Sequence, residues 1–352
     1  MQDPPEEAGF EPQTSVAPSE IAGDAADPTE APLASEDPAQ MAPPREPSAG
    51  TPAPEPPAPA RTRLKPWQGL VAAFIGGSFG MIASLVLGLA ALAGLLIARP
   101  GGLQPDTLPQ DILGLSMSLW VVVPSLFGSH GTLSVVPFLT AMLAKVPIRS
   151  ALGLKGAPWL AFVMAPLGIL GLGPTSDGIV HLMRWLAPNF TFGTLGQLDT
   201  LMHGHSFFVL WPLVALLPGF AEEIFFRGLV QRCLGNGVVA ILVSGISFAC
   251  FHMDPHHVAG VLPVGLYLAW VAARADSTWP TILAHTINNS MALFGSQLPK
   301  SVGVGNEDPN PWYIVGGLAL TAVAIATIYW ATRKRGEAEE AGPSAQSVSI
   351  AS

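Results

Sequence analysis

Residues 66–98 contain no Asp, Glu, Lys or Arg. A helix needs about 20 consecutive apolar residues to cross a bilayer, because backbone groups in hydrocarbon find no water and must satisfy one another. A stretch this long suits that solvent better than any soluble core. Seven further segments continue the pattern: residues 112–144, 159–173, 206–233, 238–252, 257–273, 281–296 and 312–332. The second of the eight, 112–144, carries Gly128, His130, Gly131 and Pro137 and reads as one broken helix or two short ones. The expected fold is therefore all-α, a polytopic membrane bundle of about eight transmembrane helices over residues 63–335.

Composition agrees with a membrane solvent. The chain is 49% hydrophobic and 12% charged, with a mean hydropathy of +0.44, outside the range of soluble domains. The formal charge of -9 originates in residues 1–60, where twelve acids face the single Arg45. The remainder is nearly neutral, so no basic stripe suggests nucleic acid as a partner. Those sixty residues also hold fifteen prolines and few branched or aromatic side chains. Such a segment buries too little surface to offset its ordering entropy, so residues 1–62 are expected as a disordered Pro/Ala/Glu-rich cytoplasmic tail, not a cleaved signal peptide. Residues 336–352 are expected as a second disordered tail, and Cys233 and Cys250 as buried free thiols.

Basic residues collect on one side of the expected topology, as the positive-inside rule requires of a cytoplasmic face. With both termini cytoplasmic, the inner turns receive Lys145, Arg149, Lys155, Arg232 and Arg274, followed by Arg333, Lys334 and Arg335. The outer turns receive Asp106, Asp111, Glu307 and Asp308, with Arg99, Arg184 and Lys300 as exceptions. Between the third and fourth spans, Ile179, Leu182, Met183 and Leu186 fall at helical spacing, as in an amphipathic helix lying in the outer interface.

Against this apolar background stands "GFAEEIFFRGL", residues 219–229. Ionisable groups at membrane depth are costly and usually face the protein interior, where they mark a site, a relay or a pathway. Glu223 and Arg227 are four apart, acid before base, and stack on one helical face. Glu222 points about 100 degrees away from Glu223 and is left available for chemistry. The plain alternative is that both acids complement the dipole of a first helical turn.

Phe248 and His252 share a face of the next span. Counting from a turn at Gly235 and Asn236, Glu222 and His252 both rise roughly 20 to 24 Å, so they can face each other. His285 and Asn289 share a face of the seventh span, with interhelical hydrogen bonding as the plain alternative. Counting leaves His285 nearer the inner turn, a mismatch that a short or tilted sixth span, or a loop at 276–279 dipping into the protein, would repair. Asn288 lies one step round the helix and is not equivalent to Asn289. His203, His205, His256 and His257 fall in expected loops and receive no role.

"EEIFFR", "FACFH" and "HTINN" resemble, in order, the EExxxR, FxxxH and HxxxN signatures of the CAAX-protease and bacteriocin-processing family of intramembrane endopeptidases. The resemblance covers a core at about residues 206–295. It implies hydrolysis of a peptide bond in a membrane-associated or prenylated substrate. Glu222 and His252 would activate water, and His285 and Asn289 would donate to the oxyanion. Glu223, Arg227 and Phe248 would support them. It leaves the cofactor open between none and one zinc ion held by Glu222, His252 and His285. The metal-free reading is preferred, because no HExxH pair is present. The rival readings are a proton-coupled transporter, whose paired discontinuous helices are not seen, and a non-enzymatic membrane scaffold or immunity-type protein.

Overall fold

A computed structural model describes residues 62–99, 104, 106–298 and 310–340, with side chains of the last segment as far as Arg333. These residues all belong to one compact unit, Ala58–Ser352. Nearly all of the N-terminal tail, residues 341–352, Lys300, Glu307 and Asp308 lie outside the described residues.

The described chain forms eleven helices: α1 Pro66–Ile97, α2 Leu108–Ser116, α3 Leu119–Leu143, α4 Ile148–Ala151, α5 Trp159–Leu186, α6 Thr194–Gly204, α7 Phe207–Leu234, α8 Val238–Phe251, α9 Pro255–Ala275, α10 Trp279–Gln297 and α11 Pro311–Glu340. Six of them, α1, α3, α5, α7, α9 and α11, are long and apolar enough to cross a membrane. The chain is an integral membrane protein. The other two expected spans correspond to α8, with only 14 residues, and α10, with 19 residues that include His285, Asn288 and Asn289.

Two local expectations need correction and one open alternative is resolved. Over residues 112–144, expected as one broken helix or two short ones, residues 112–116 belong to α2 and residues 119–143 form one long helix despite Pro124 and Pro137. Each proline removes one donor, and neighbouring helices tolerate that loss in a membrane. The amphipathic segment after residue 173 is not a separate interfacial helix but the last part of α5, which runs through Pro166 and Pro174 for the same reason. Cys233 is buried, whereas Cys250 is exposed on the outer face of α8.

α7 sits at the centre. α1 and α3 pack on one side of it and α8, α9 and α10 on the other, while α5 packs against α9, α10 and α11. Hence α7 is buried on all faces from Ala221 to Cys233, whereas α1 exposes Phe74, Phe79 and Leu85 as a lipid-facing helix does. Leu133, Ile224, Phe225, Phe226, Leu229 and Phe248 form the core around it.

Two close approaches fix the helices that carry polar groups. A Cβ at Gly128 would lie 2.6 Å from the Ser84 backbone nitrogen, so only glycine lets α3 seat against α1. A Cβ at Gly219 would lie 2.3 Å from Thr286 Oγ1 and 3.0 Å from the Thr286 backbone nitrogen, which brings α7 onto α10.

α7 is not a uniform α-helix. Trp211–Leu216 and Ile224–Gln231 are π-helical, flanking the α-helical turn Leu217–Glu223. Such widened turns concentrate at functional sites. Ser244 Oγ of α8 donates to the Phe226 carbonyl at 3.0 Å within the second of them.

Candidate active site

Glu223 and Arg227 are both fully buried. Arg227 Nη1 donates to Glu223 Oε1 at 2.8 Å, and Nη2 donates to the Gly265 carbonyl of α9 at 2.9 Å. The guanidinium also lies 4.3 Å from the centroid of Phe248, a cation–π contact strengthened by the absence of water. One residue thus ties α7 to α8 and α9. Four positions on, Gln231 Nε2 donates to the Ala269 carbonyl at 2.8 Å and repeats the tie to α9.

His285 meets this pair from α10, with Nδ1 2.9 Å from Glu223 Oε1. Its ring packs edge-on against Phe248 at 5.5 Å, and the same phenyl ring contacts His252 at 5.1 Å. Phe248 is therefore the apolar wall that spaces two imidazoles. A carboxylate oxygen only accepts, so Nδ1 of His285 carries the proton and Nε2 is the nitrogen left for other partners.

Glu222 turns the other way, as its neighbouring position on the helix requires. Its Oε1 lies 3.0 Å from His130 Nε2 of α3, and His130 Nδ1 lies 3.0 Å from Ser129 Oγ. Glu222 Oε2 is buried and has no hydrogen-bond partner. Glu222 interacts electrostatically with His285, His252 and His130. Glu222, Glu223 and Arg227 together carry one excess negative charge if all are ionised, which one imidazolium among the three histidines would neutralise.

His252 follows the last turn of α8. Its Nδ1 donates to the Phe248 carbonyl at 3.1 Å, which leaves Nε2 unengaged by that bond. Its ring lies 4.4 Å from that of His257. The depth needed for this placement comes from the shortness of α8: 14 residues span about 21 Å, less than the hydrocarbon thickness. Met253, in the left-handed region at φ 64, then reverses the chain. Asp254 caps α9 by accepting from the His256 and His257 amides. The same carboxylate accepts from Thr191 Oγ1 and from the Phe192 and Thr194 amides. Burial pushes the Asp254 carboxyl up, but hydrogen bonds from Thr191, Thr194, Phe192 and His257 hold it well below the usual carboxylate range.

The loop after α9 explains how His285 reaches the site. Ser277 and Thr278 are fully buried. Ser277 Oγ donates to the Lys155 carbonyl, Thr278 Oγ1 to the Leu152 carbonyl, and the Thr278 amide to the Gly153 carbonyl. The loop thus dips into the protein, one of the two repairs expected for the depth mismatch. Asp276 sits beside it at φ 45 and receives Arg232, Lys155 and Asn236. These polar groups mark one end of the bundle.

The seventh-span residues are engaged as follows. His285 bonds to Glu223. Asn289 donates Nδ2 to the Val214 carbonyl in the first π-helical turn at 3.2 Å, and Asn288 donates to Asn289 Oδ1 at 3.3 Å. Among the described residues, no three His, Cys, Asp or Glu side chains group closely enough to hold a metal ion. The expected set of Glu222, His252 and His285 does not fit a zinc ion as placed.

Two residues at the site were given no role from sequence. His130 is the one ionisable group besides the termini of its span, in an otherwise uncharged stretch, and the cost of such a group at membrane depth was the available signal. His257 lies not in a loop but in the first turn of α9. His256 is there too, with Nε2 donating to the Ala187 carbonyl at 2.9 Å, while His203 lies in the last turn of α6.

Residues 204–291 match the family model described as Type II CAAX prenyl endopeptidase Rce1-like. This segment is similar to that family. It contains Glu222, Glu223, Arg227, Phe248, His252, His285 and Asn289, and it excludes His130. The Bacillus subtilis (strain 168) protein named "Putative membrane peptidase YdiL" is 28% identical over 102 residues, covering 28% of this chain and 42% of that protein. The chain thus spans less than half the length of that curated relative. No solved structure matches.

Proposed function

We propose that the chain is an intramembrane endopeptidase that hydrolyses a peptide bond in a membrane-associated or prenylated peptide, with Glu222 as the base. The observation that carries this reading is a buried carboxylate with one oxygen held and the other unpartnered, surrounded electrostatically by three imidazoles. A base must reach the proton it removes, and an oxygen already saturated by hydrogen bonds would not.

In this reading a water sits between Glu222 Oε2 and His252 Nε2. Glu222 takes its proton, and the resulting hydroxide attacks the substrate carbonyl carbon. The tetrahedral oxyanion is met by His285 and by the remaining N–H of Asn289. His285 donates from Nε2 as an imidazolium whose Nδ1–H is held by the Glu223 carboxylate. When the carbon–nitrogen bond breaks, Glu222 returns its proton to the leaving amine. Arg227 and Phe248 keep Glu223 and the two rings in place.

The meeting of Lys155, Arg232 and Asp276 at one end supports assigning that end to the cytoplasm, with both termini on that side. The test is cleavage of a farnesylated peptide ending in a CAAX sequence by the full chain purified in detergent. Glu222→Gln and His252→Ala are each expected to lower kcat by about 100-fold or more. Undiminished cleavage by both variants removes the enzyme reading.

A further inference from the structure

The geometry points to His130 as the positioning residue for Glu222, supplied by α3 from outside the Rce1-like segment. This rests on Glu222 being the base. His130 and Glu222 are 9% and 6% exposed, and the 3.0 Å contact joins residues 92 positions apart in the chain. Holding Oε1 fixes the carboxylate plane and leaves Oε2 as the oxygen that faces no protein donor. The other groups acting on Glu222 are His285, His252, His257 and Arg227. None is hydrogen-bonded to it, and Glu223 holds Arg227 and His285 through its Oε1.

Ser129 sets the tautomer that this contact needs. Its hydroxyl lies 3.0 Å from His130 Nδ1, 3.2 Å from the Ser125 carbonyl and 3.3 Å from the Leu126 carbonyl, and it has one hydrogen to give. When it donates to Nδ1, the neutral ring carries its proton on Nε2 and donates to Glu222 Oε1. The proton taken from water sits on Oε2, so Oε1 accepts whether the carboxyl is ionised or protonated. A glutamate that takes a proton from water and later returns it passes through both states, and the same Nε2–H holds it in each. A leucine in this place would hold neither, and a glutamine would hold the carboxyl without binding a proton.

The test compares wild type, His130→Leu, His130→Gln and Glu222→Gln in the full chain, with the farnesylated CAAX peptide as probe. His130→Leu is expected to lower kcat about 100-fold with KM unchanged, the scale of a misplaced catalytic group. His130→Gln is expected to recover part of that loss and to show an altered pH profile of kcat. Wild-type kcat and pH profile in His130→Leu would overturn the proposal, as would a loss that glutamine does not relieve and that follows lost thermal stability.

The pairing is also read without turnover. An infrared carboxyl band assigned to Glu222 by its loss in Glu222→Gln is expected to shift in His130→Leu, and an unshifted band overturns the proposal. If wild type does not cleave the probe, or if Glu222→Gln cleaves as well as wild type, the endopeptidase reading fails. The infrared result then still decides the pairing.

Discussion

Arg227 meets three acceptors of different kinds: the Glu223 carboxylate, the Gly265 carbonyl and the face of Phe248. Removing it would leave Glu223 buried with only His285 as partner. Arg227→Met is therefore expected to destabilise the fold by about 3–5 kcal/mol, the usual cost of breaking a buried pair from one side, as read by thermal melting in detergent. Arg227→Lys is expected to recover only part, because an ammonium lacks the planar fork that serves Glu223 and Gly265 together. The Glu223–Arg227 pair and the divergence of Glu222 were legible from helical spacing alone. The partner of Glu222 was not, because a contact across 92 positions leaves no local pattern. Asn289 shows the opposite limit: its face was readable, but the π-turn carbonyl that occupies it was invisible to a count based on α-helical geometry.

Among the elements, α7 and α10 depend on one contact without a side chain. Gly219→Val would drive a branched group into Thr286, where even a Cβ meets backbone at 3.0 Å. Overpacking of this kind is expected to cost about 1–3 kcal/mol and to displace His285 from Glu223, so turnover of the farnesylated peptide should fall along with thermal stability. A purely thermal effect with unchanged kcat would contradict the idea that this contact sets the site. Apolar runs located the long helices well, since the bilayer demands length and little else. They also placed the end of α8 to within one residue, at Phe251, where Met253 and Asp254 reverse and cap the chain, but they ended α5 too early. α5 passes Pro174 because one missing donor does not end a supported helix.

For the molecule as a whole, the end of the bundle closed by Asp276 predicts an acid limb to stability. Burial pushes the Asp276 carboxyl up, but Arg232, Lys155 and Asn236 outweigh it and hold the group below the usual carboxylate range. A depressed folded value means the contribution is complete above the ordinary carboxylate value of about 3.9 and fades as pH falls through the folded value. Asp276→Asn is expected to lower the melting temperature at pH 7 and to narrow its gap from wild type as the pH is lowered past 4. A gap independent of pH would show that the carboxylate's charge does not matter there. The central claim is that Glu222 removes a proton from water and does not itself attack the peptide. A single turnover with excess protein in oxygen-18 water tests this most directly, by mass spectrometry of the product and of the peptide bearing Glu222. The account predicts label in the new product carboxylate and none in Glu222. Label in Glu222 with an unlabelled product would contradict it.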